Sequence, residues 1–128
     1  MQAILLFAHG ARAESWARPF RTVRDRLRAE RPEVPVELAF LEFMEPDFAT
    51  AIDRLAAQQA TEVLVCPLFL GVGGHVLRDL PALVDAARAR RPDMSIECAD
   101  SPGEDPQVLD ALARYCLRWL PGALHAPE

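Results

Sequence analysis

Ala3-Ile4-Leu5-Leu6-Phe7-Ala8-His9-Gly10 and Val63-Leu64-Val65-Cys66-Pro67-Leu68-Phe69-Leu70, the latter running into Gly71-Val72-Gly73-Gly74-His75, share one design. Each is an apolar run that leads to glycine and histidine. Neither approaches the roughly 20 residues that span a bilayer. Continuous apolar character over so short a length is expected of a parallel strand covered on both faces by helices. Side chains just past the carboxyl ends of such strands stand where open α/β sheets bind ligands. His9 and His75 hold those positions, whereas His125, the remaining histidine, lies in a Pro/Ala-rich tail and reads as inert.

Outward from these runs the chain alternates regularly between extended and helical patterns. Trp16, Phe20, Val23 and Leu27 recur at helical spacing, with Ser15 as a candidate N-cap and Pro19 near the first turn. Val36 to Leu41 reads as a second strand. A second helix beginning near Pro46 aligns Phe48, Ile52 and Leu55. The third strand is Glu62 to Leu68. In the third helix Asp79 is the expected cap and Pro81 falls in the first turn, with Leu80, Leu83, Val84 and Ala87 on one face. Met94 to Ala99 forms a fourth strand. The helix from Pro106 to Leu120 should bury Val108, Leu112, Cys116 and Trp119 before Pro121-Gly122 stops it.

Strands two and four alternate polar and apolar residues, Val36, Leu38 and Phe40 against Glu37, then Ile96 and Cys98 against Ser95 and Glu97. Alternation implies partly solvated edges, so the expected order is 2-1-3-4, all parallel, with right-handed crossovers. Chain direction then reverses between strands one and three, and the gap above them is a topological switch point. Neighbouring strands are roughly 5 Å apart, close enough for His9 and His75 to converge, with Glu42 beside them at the end of strand two. Glu45 offers a second carboxylate nearby.

The chain has 128 residues, 51% of them hydrophobic, with a net charge of −5. One domain over residues 1–121 with a flexible tail at 122–128 fits that length. The acidic balance argues against nucleic acid. No signal-peptide pattern opens the sequence and no apolar run would span a membrane, so a cytoplasmic location is expected. All fourteen basic residues are arginine, which excludes Schiff-base and P-loop-lysine chemistry. Cys66, Cys98 and Cys116 are widely spaced in apolar settings and read as buried free thiols, neither a zinc site nor a disulfide framework.

Two neutral imidazoles suit a borderline divalent metal such as iron, cobalt or nickel. Two ligands leave coordination positions open, where a structural zinc site would want four. The same imidazoles can accept protons near neutral pH. Inserting a metal into a tetrapyrrole needs both properties, because the ion must be held and two pyrrole protons removed.

At these residues the chain resembles a known family. Phe7-Ala8-His9-Gly10, then Phe40-Leu41-Glu42 leading to Pro46, then Pro67-Leu68-Phe69-Leu70 through Gly73-Gly74-His75-Val76 to Arg78-Asp79-Leu80-Pro81, are similar to the small single-domain CbiX/SirB sirohydrochlorin chelatases. The resemblance runs from strand one through the third helix. It implies a chelatase-like, flavodoxin-type three-layer sandwich and a homodimer with the tetrapyrrole in its cleft. It implies that His9 and His75 bind metal and act in catalysis, and that Glu42 is the family's acidic position. The divalent metal (Co2+, Fe2+ or Ni2+) is then a substrate, and no organic cofactor is needed. Sirohydrochlorin carries eight carboxylates, so Arg12 and Arg78, flanking the two loops, are candidate substrate contacts. Gly73 and Gly74 would let the loop approach the flat macrocycle. Ala11 stands where the family commonly has serine, and the segment from Arg88 to Asp105 lacks the histidines that some small members carry.

Two other functions fit parts of the pattern. A histidine phosphatase also uses His-Gly after its first strand, but its nucleophile normally follows arginine, and here Ala8 occupies that place. A non-catalytic metal or tetrapyrrole carrier would use the same histidines without inserting the ion. A dinucleotide module is disfavoured because no Gly-x-Gly-x-x-Gly follows strand one.

Overall fold

The structure, a computed structural model, describes residues 1–71 and 74–122, with the side chains of 74–77 excepted. Gly73, His125, the side chain of His75 and the 123–128 part of the tail lie outside the described residues.

Four strands, β1 (Gln2–Ala8), β2 (Val36–Phe40), β3 (Glu62–Pro67) and β4 (Ser95–Cys98), form one parallel sheet in the order β2-β1-β3-β4. The expected order and direction hold. The helices are α1 (Arg18–Glu30), α2 (Phe48–Ala57), α3 (Gly74–Arg90) and α4 (Pro106–Leu117). Alternation along β1 divides the core. Ala3, Leu5 and Phe7 face α2 and α3, where they pack with Phe48, Ile52, Leu55, Val84 and Ala87. Leu6 and Ala8 face α1, with Trp16, Phe20 and Leu27. Phe7 meets Phe48 edge to face at 5.5 Å and Phe69 at 6.1 Å, which anchors the end of β1 nearest His9.

Arginine joins helix to strand at two equivalent corners. Arg28 at the end of α1 donates from Nε and Nη2 to the Val36 carbonyl, and Arg88 in α3 does the same to Ile96. A forked guanidinium satisfies one carbonyl twice, which an ammonium cannot do with fixed geometry.

Several local expectations are corrected. Ser15 caps nothing: it lies inside a 3-10 turn at Glu14–Ala17, and α1 begins behind Ala17 with Pro19 in its first turn. Pro46 precedes α2 and the cap is Asp47, whose carboxylate accepts from Thr50 N at 2.9 Å. The third helix starts at Gly74, so Asp79 and Pro81 lie within it. His75 therefore belongs to the first turn of a helix. β2 is nearly all buried because α1 and α2 flank it on opposite faces. Conversely, β3 is fully covered on one face only: on the other Cys66 is half-buried against the α1-side cluster and Leu64 is 41% exposed. The largest departure is α4, which buries none of its residues; Leu112 and Cys116 are exposed and Trp119, just past its end, is 68% exposed. Cys98 is also exposed, leaving Cys66 as the half-buried thiol.

The Asp47 cap carries a test. The backbone N–H of Thr50 holds the Asp47 carboxyl below its ordinary pKa. A folded-state pKa below the unfolded one contributes stability above the unfolded value, lost as pH falls through the folded one. Asp47→Ala is expected to cost about 1 kcal/mol near pH 7 in urea unfolding. The difference from the parent should shrink in acid below the carboxylate range; an undiminished difference there would contradict the capping role.

Candidate functional site

The ladder between β1 and β2 continues past both strands and delivers the site. Leu41 N donates to Ala8 O at 2.9 Å and Glu42 N donates to His9 O at 3.1 Å. The loop after β2 then folds on itself, with Met44 N on Glu42 O and Phe40 N on Pro46 O, both at 2.9 Å. Gly10 makes this approach sterically possible. Its φ is +94°, and a Cβ built there would lie 1.9 Å from the Glu42 carbonyl oxygen. That backbone conformation and that clearance both demand glycine.

His9 and Glu42 consequently face each other, with Nε2 to Oε1 at 3.5 Å and side chains 40% and 42% exposed. The separation exceeds an ordinary hydrogen bond. It suits a carboxylate that orients the imidazole electrostatically, or takes a proton after a small adjustment. Of the two carboxylates that the sequence offers, Glu42 is the one whose oxygen lies beside the His9 ring. Among the described residues no group of three or more His, Cys, Asp and Glu gathers to hold an ion. Burial pushes the Cys66 thiol up, away from the thiolate that a metal would want.

Arg12 lies over the ring of Phe43, its guanidinium carbon 4.7 Å from the centroid. Phe43 follows Glu42 directly, has φ +66° and is 58% exposed. The sequence reading missed it, because an aromatic residue beside a loop carboxylate belongs to no recurring pattern. Positive φ is uncommon for a bulky residue, and here it turns the loop directly after Glu42. Arg78 is placed differently from Arg12: it lies on α3 with Nε 3.9 Å from Asp79.

On the other side of β1, Leu68 N donates to Phe7 O at 2.8 Å, so the chain leaving β3 starts beside His9. It passes Leu70, where Gly103 fits so closely that a Cβ would lie 1.7 Å from the Leu70 carbonyl oxygen. Gly71 has open space around it. Helix α3 and its His75 follow. The two histidine-bearing segments thus emerge from adjacent strands at the switch point of the sheet.

The sequence and the fold have counterparts among known proteins. The family model CbiX matches residues 3–117. The chain is 31% identical over 112 residues to the sirohydrochlorin ferrochelatase of Bacillus subtilis (strain 168), spanning 87% of this chain and 42% of that protein. It is 27% identical over 112 residues to the sirohydrochlorin cobaltochelatase of Sulfurisphaera tokodaii, with 88% of each covered. The chain spans about half the length of several of the relatives it matches. SirB from Bacillus subtilis, solved with Fe3+, superposes with a TM-score of 0.79 at 28% identity, over 94% of this chain and 48% of that one. A Marinobacter aquaeolei VT8 CbiX protein superposes at 0.77 with 26% identity, over 91% and 94%. With a family model matching residues 3–117 and solved CbiX and SirB structures superposing on nearly all of it, the chain belongs to the CbiX family.

Proposed function

We propose that the chain is a sirohydrochlorin chelatase, inserting Co2+ or Fe2+ into a tetrapyrrole in cobalamin or siroheme biosynthesis. The observation that carries this reading is His9 set 3.5 Å from Glu42 at the switch point of a CbiX-family sheet. His9 and His75 hold the divalent ion, which is substrate rather than resident cofactor. The macrocycle lies over the carboxyl ends of β1 and β3. Its pyrrole nitrogens replace the imidazoles around the ion one at a time, and two protons leave, taken by the histidines and passed through Glu42 to water. Charge balances, because one divalent cation enters as two protons depart. No electron moves, so neither a redox partner nor an organic cofactor is required.

Arg12 and Arg78 receive peripheral carboxylates, and the loop at Gly73 and Gly74 closes on the macrocycle. Arg12 is supported in this role by its position over the Phe43 ring, in the loop that carries Glu42. The working form is a homodimer, as the family resemblance implies, and its location is cytoplasmic, as the sequence pattern leads one to expect. No described helix is long and apolar enough to cross a membrane.

The test is anaerobic absorbance of sirohydrochlorin with Co2+, Fe2+ or Ni2+, with and without the protein. Protein-dependent conversion to the metallated spectrum is expected, and the relative rates rank the metals. Macrocycle binding without conversion by any of the three would make the protein a carrier. Conversion no faster than in buffer, with no binding, would refute the chelatase reading.

A further inference from the structure

Among the described residues, ten of the chain's fourteen arginines stand beside a carboxylate. Of the other four, Arg118 lies over the Tyr115 ring. Arg12, Arg18 and Arg26 form no ion pair among the described residues, and all three fall between His9 and the end of α1. That stretch differs from the rest of the chain in charge. Residues 12–31 hold seven arginines against three carboxylates, whereas the remaining residues hold seven against sixteen. A chain of net charge −5 thus carries a net positive surface on one helix and the loop before it.

The fold sets that helix beside the site. The chain leaves β1 at His9, turns through Glu14–Ala17 and runs back along the sheet as α1. Arg18 opens the helix and so stands at its end nearest His9, and Arg26 follows about 12 Å farther along the axis. Trp16, Phe20 and Leu27 seat the helix on the sheet, while Arg18 and Arg26 are exposed. The local carboxylates offset other arginines: Glu14 takes Arg21 and Asp25 takes Arg24. Neither packing nor pairing within the chain accounts for Arg18 and Arg26.

We propose that Arg18 and Arg26, with Arg12 at the site end, draw the substrate to the site by long-range attraction. The inference rests on the sirohydrochlorin reading above. A macrocycle with eight carboxylates approaches a protein that is itself acidic, and like charge slows such an encounter unless a local field of opposite sign guides it. Fixed cations act without contact over the screening length, roughly 8 Å at physiological ionic strength. The patch begins beside His9, which favours a ligand on its way to that site, and the acidic remainder of the chain disfavours nucleic acid. Arg12, over Phe43, receives a carboxylate at the end of the approach. Arg18 and Arg26 govern arrival and take no part in metal insertion.

The test is stopped-flow absorbance of metal-free sirohydrochlorin mixed with the full chain at a series of NaCl concentrations. Arg18→Glu with Arg26→Glu should slow association at least tenfold, as an order of magnitude, in about 20 mM salt. Of the single changes, Arg18→Glu should be the more damaging, since it stands nearer the site. The loss should vanish near ~1 M salt, where the screening length is about 3 Å. Dissociation, and metal insertion at saturating macrocycle, should match the parent. Glu14→Gln, which releases Arg21, should speed association. Arg54→Glu on α2, across the sheet, changes net charge as Arg18→Glu does and should slow association far less. Glutamate suits a helix start, so the far-ultraviolet circular dichroism of Arg18→Glu should be that of the parent. If the parent binds the macrocycle and Arg18→Glu is no slower than Arg54→Glu, the attraction is overturned and the chelatase reading stands. A loss that persists near ~1 M salt, or that lies in dissociation, also overturns it, because the arginines then act by contact. A parent that binds no macrocycle overturns both.

Discussion

His9→Ala is expected to lose metal insertion by roughly 10²–10⁴-fold, the usual contribution of a positioned proton-transfer group. Stability should change little. The His9 side chain is 40% exposed and packs in neither cluster of the core, so its removal leaves no internal cavity. Glu42→Gln separates two roles of the carboxylate. The amide can still orient the imidazole through a hydrogen bond but cannot take up a proton, so a large loss in this variant assigns Glu42 to proton transfer and a small one assigns it to orientation. Initial rates with saturating Co2+ or Fe2+ and urea midpoints measured on the same preparations check both variants. A His9→Ala protein with rates near those of the parent would remove His9 from the mechanism.

Gly10→Ala should be the most damaging single-methyl change in the site. The added carbon would lie 1.9 Å from the Glu42 carbonyl oxygen, a backbone atom, at a residue with φ +94°. A side-chain neighbour would rotate away; a carbonyl engaged by Met44 N moves only with its loop. The expected cost is about 1–3 kcal/mol in urea unfolding, the range for a non-glycine residue forced into a sparsely populated conformation. Insertion should fall as well, since the same displacement carries the Glu42 carboxylate away from His9. Gly122→Ala is the control: it also has positive φ but open space around it, so it should pay for the backbone conformation alone and leave insertion unchanged. A Gly10→Ala protein with normal stability and normal rates would show that the close approach to Glu42 is dispensable.

Much of the architecture was legible because burial leaves a periodic trace. The continuous run of β1 and the alternation in β4 were enough to order the sheet, and the positions of Phe48, Ile52, Leu55, Val84 and Ala87 were enough to assign the inner faces of α2 and α3. The errors came where a residue is compatible with two local structures. Pro46 and Pro81 each suit the first turn of a helix, yet Pro46 closes a loop by accepting from Phe40 and Pro81 lies inside α3. Ser15 and Asp47 both have capping chemistry, and only Asp47 stands where an unsatisfied helix N–H points at it.

Helix α4 marks the boundary most sharply. Its apolar spacing resembles that of the buried helices, and periodicity along a helix does not record whether the rest of the chain covers that face. Sequence alone determined the parallel 2-1-3-4 sheet, the placement of His9 and Glu42 at its switch point and the resemblance to CbiX proteins, because these follow from residue type and spacing along one chain. Only the tertiary structure decided that Glu42 rather than Glu45 meets His9, that Arg12 rests on Phe43, that Gly10 is required by a neighbouring carbonyl and that α4 leaves its own sheet. Each of those depends on distances between segments far apart in the sequence, which are set when the two faces of the sheet pack and not before.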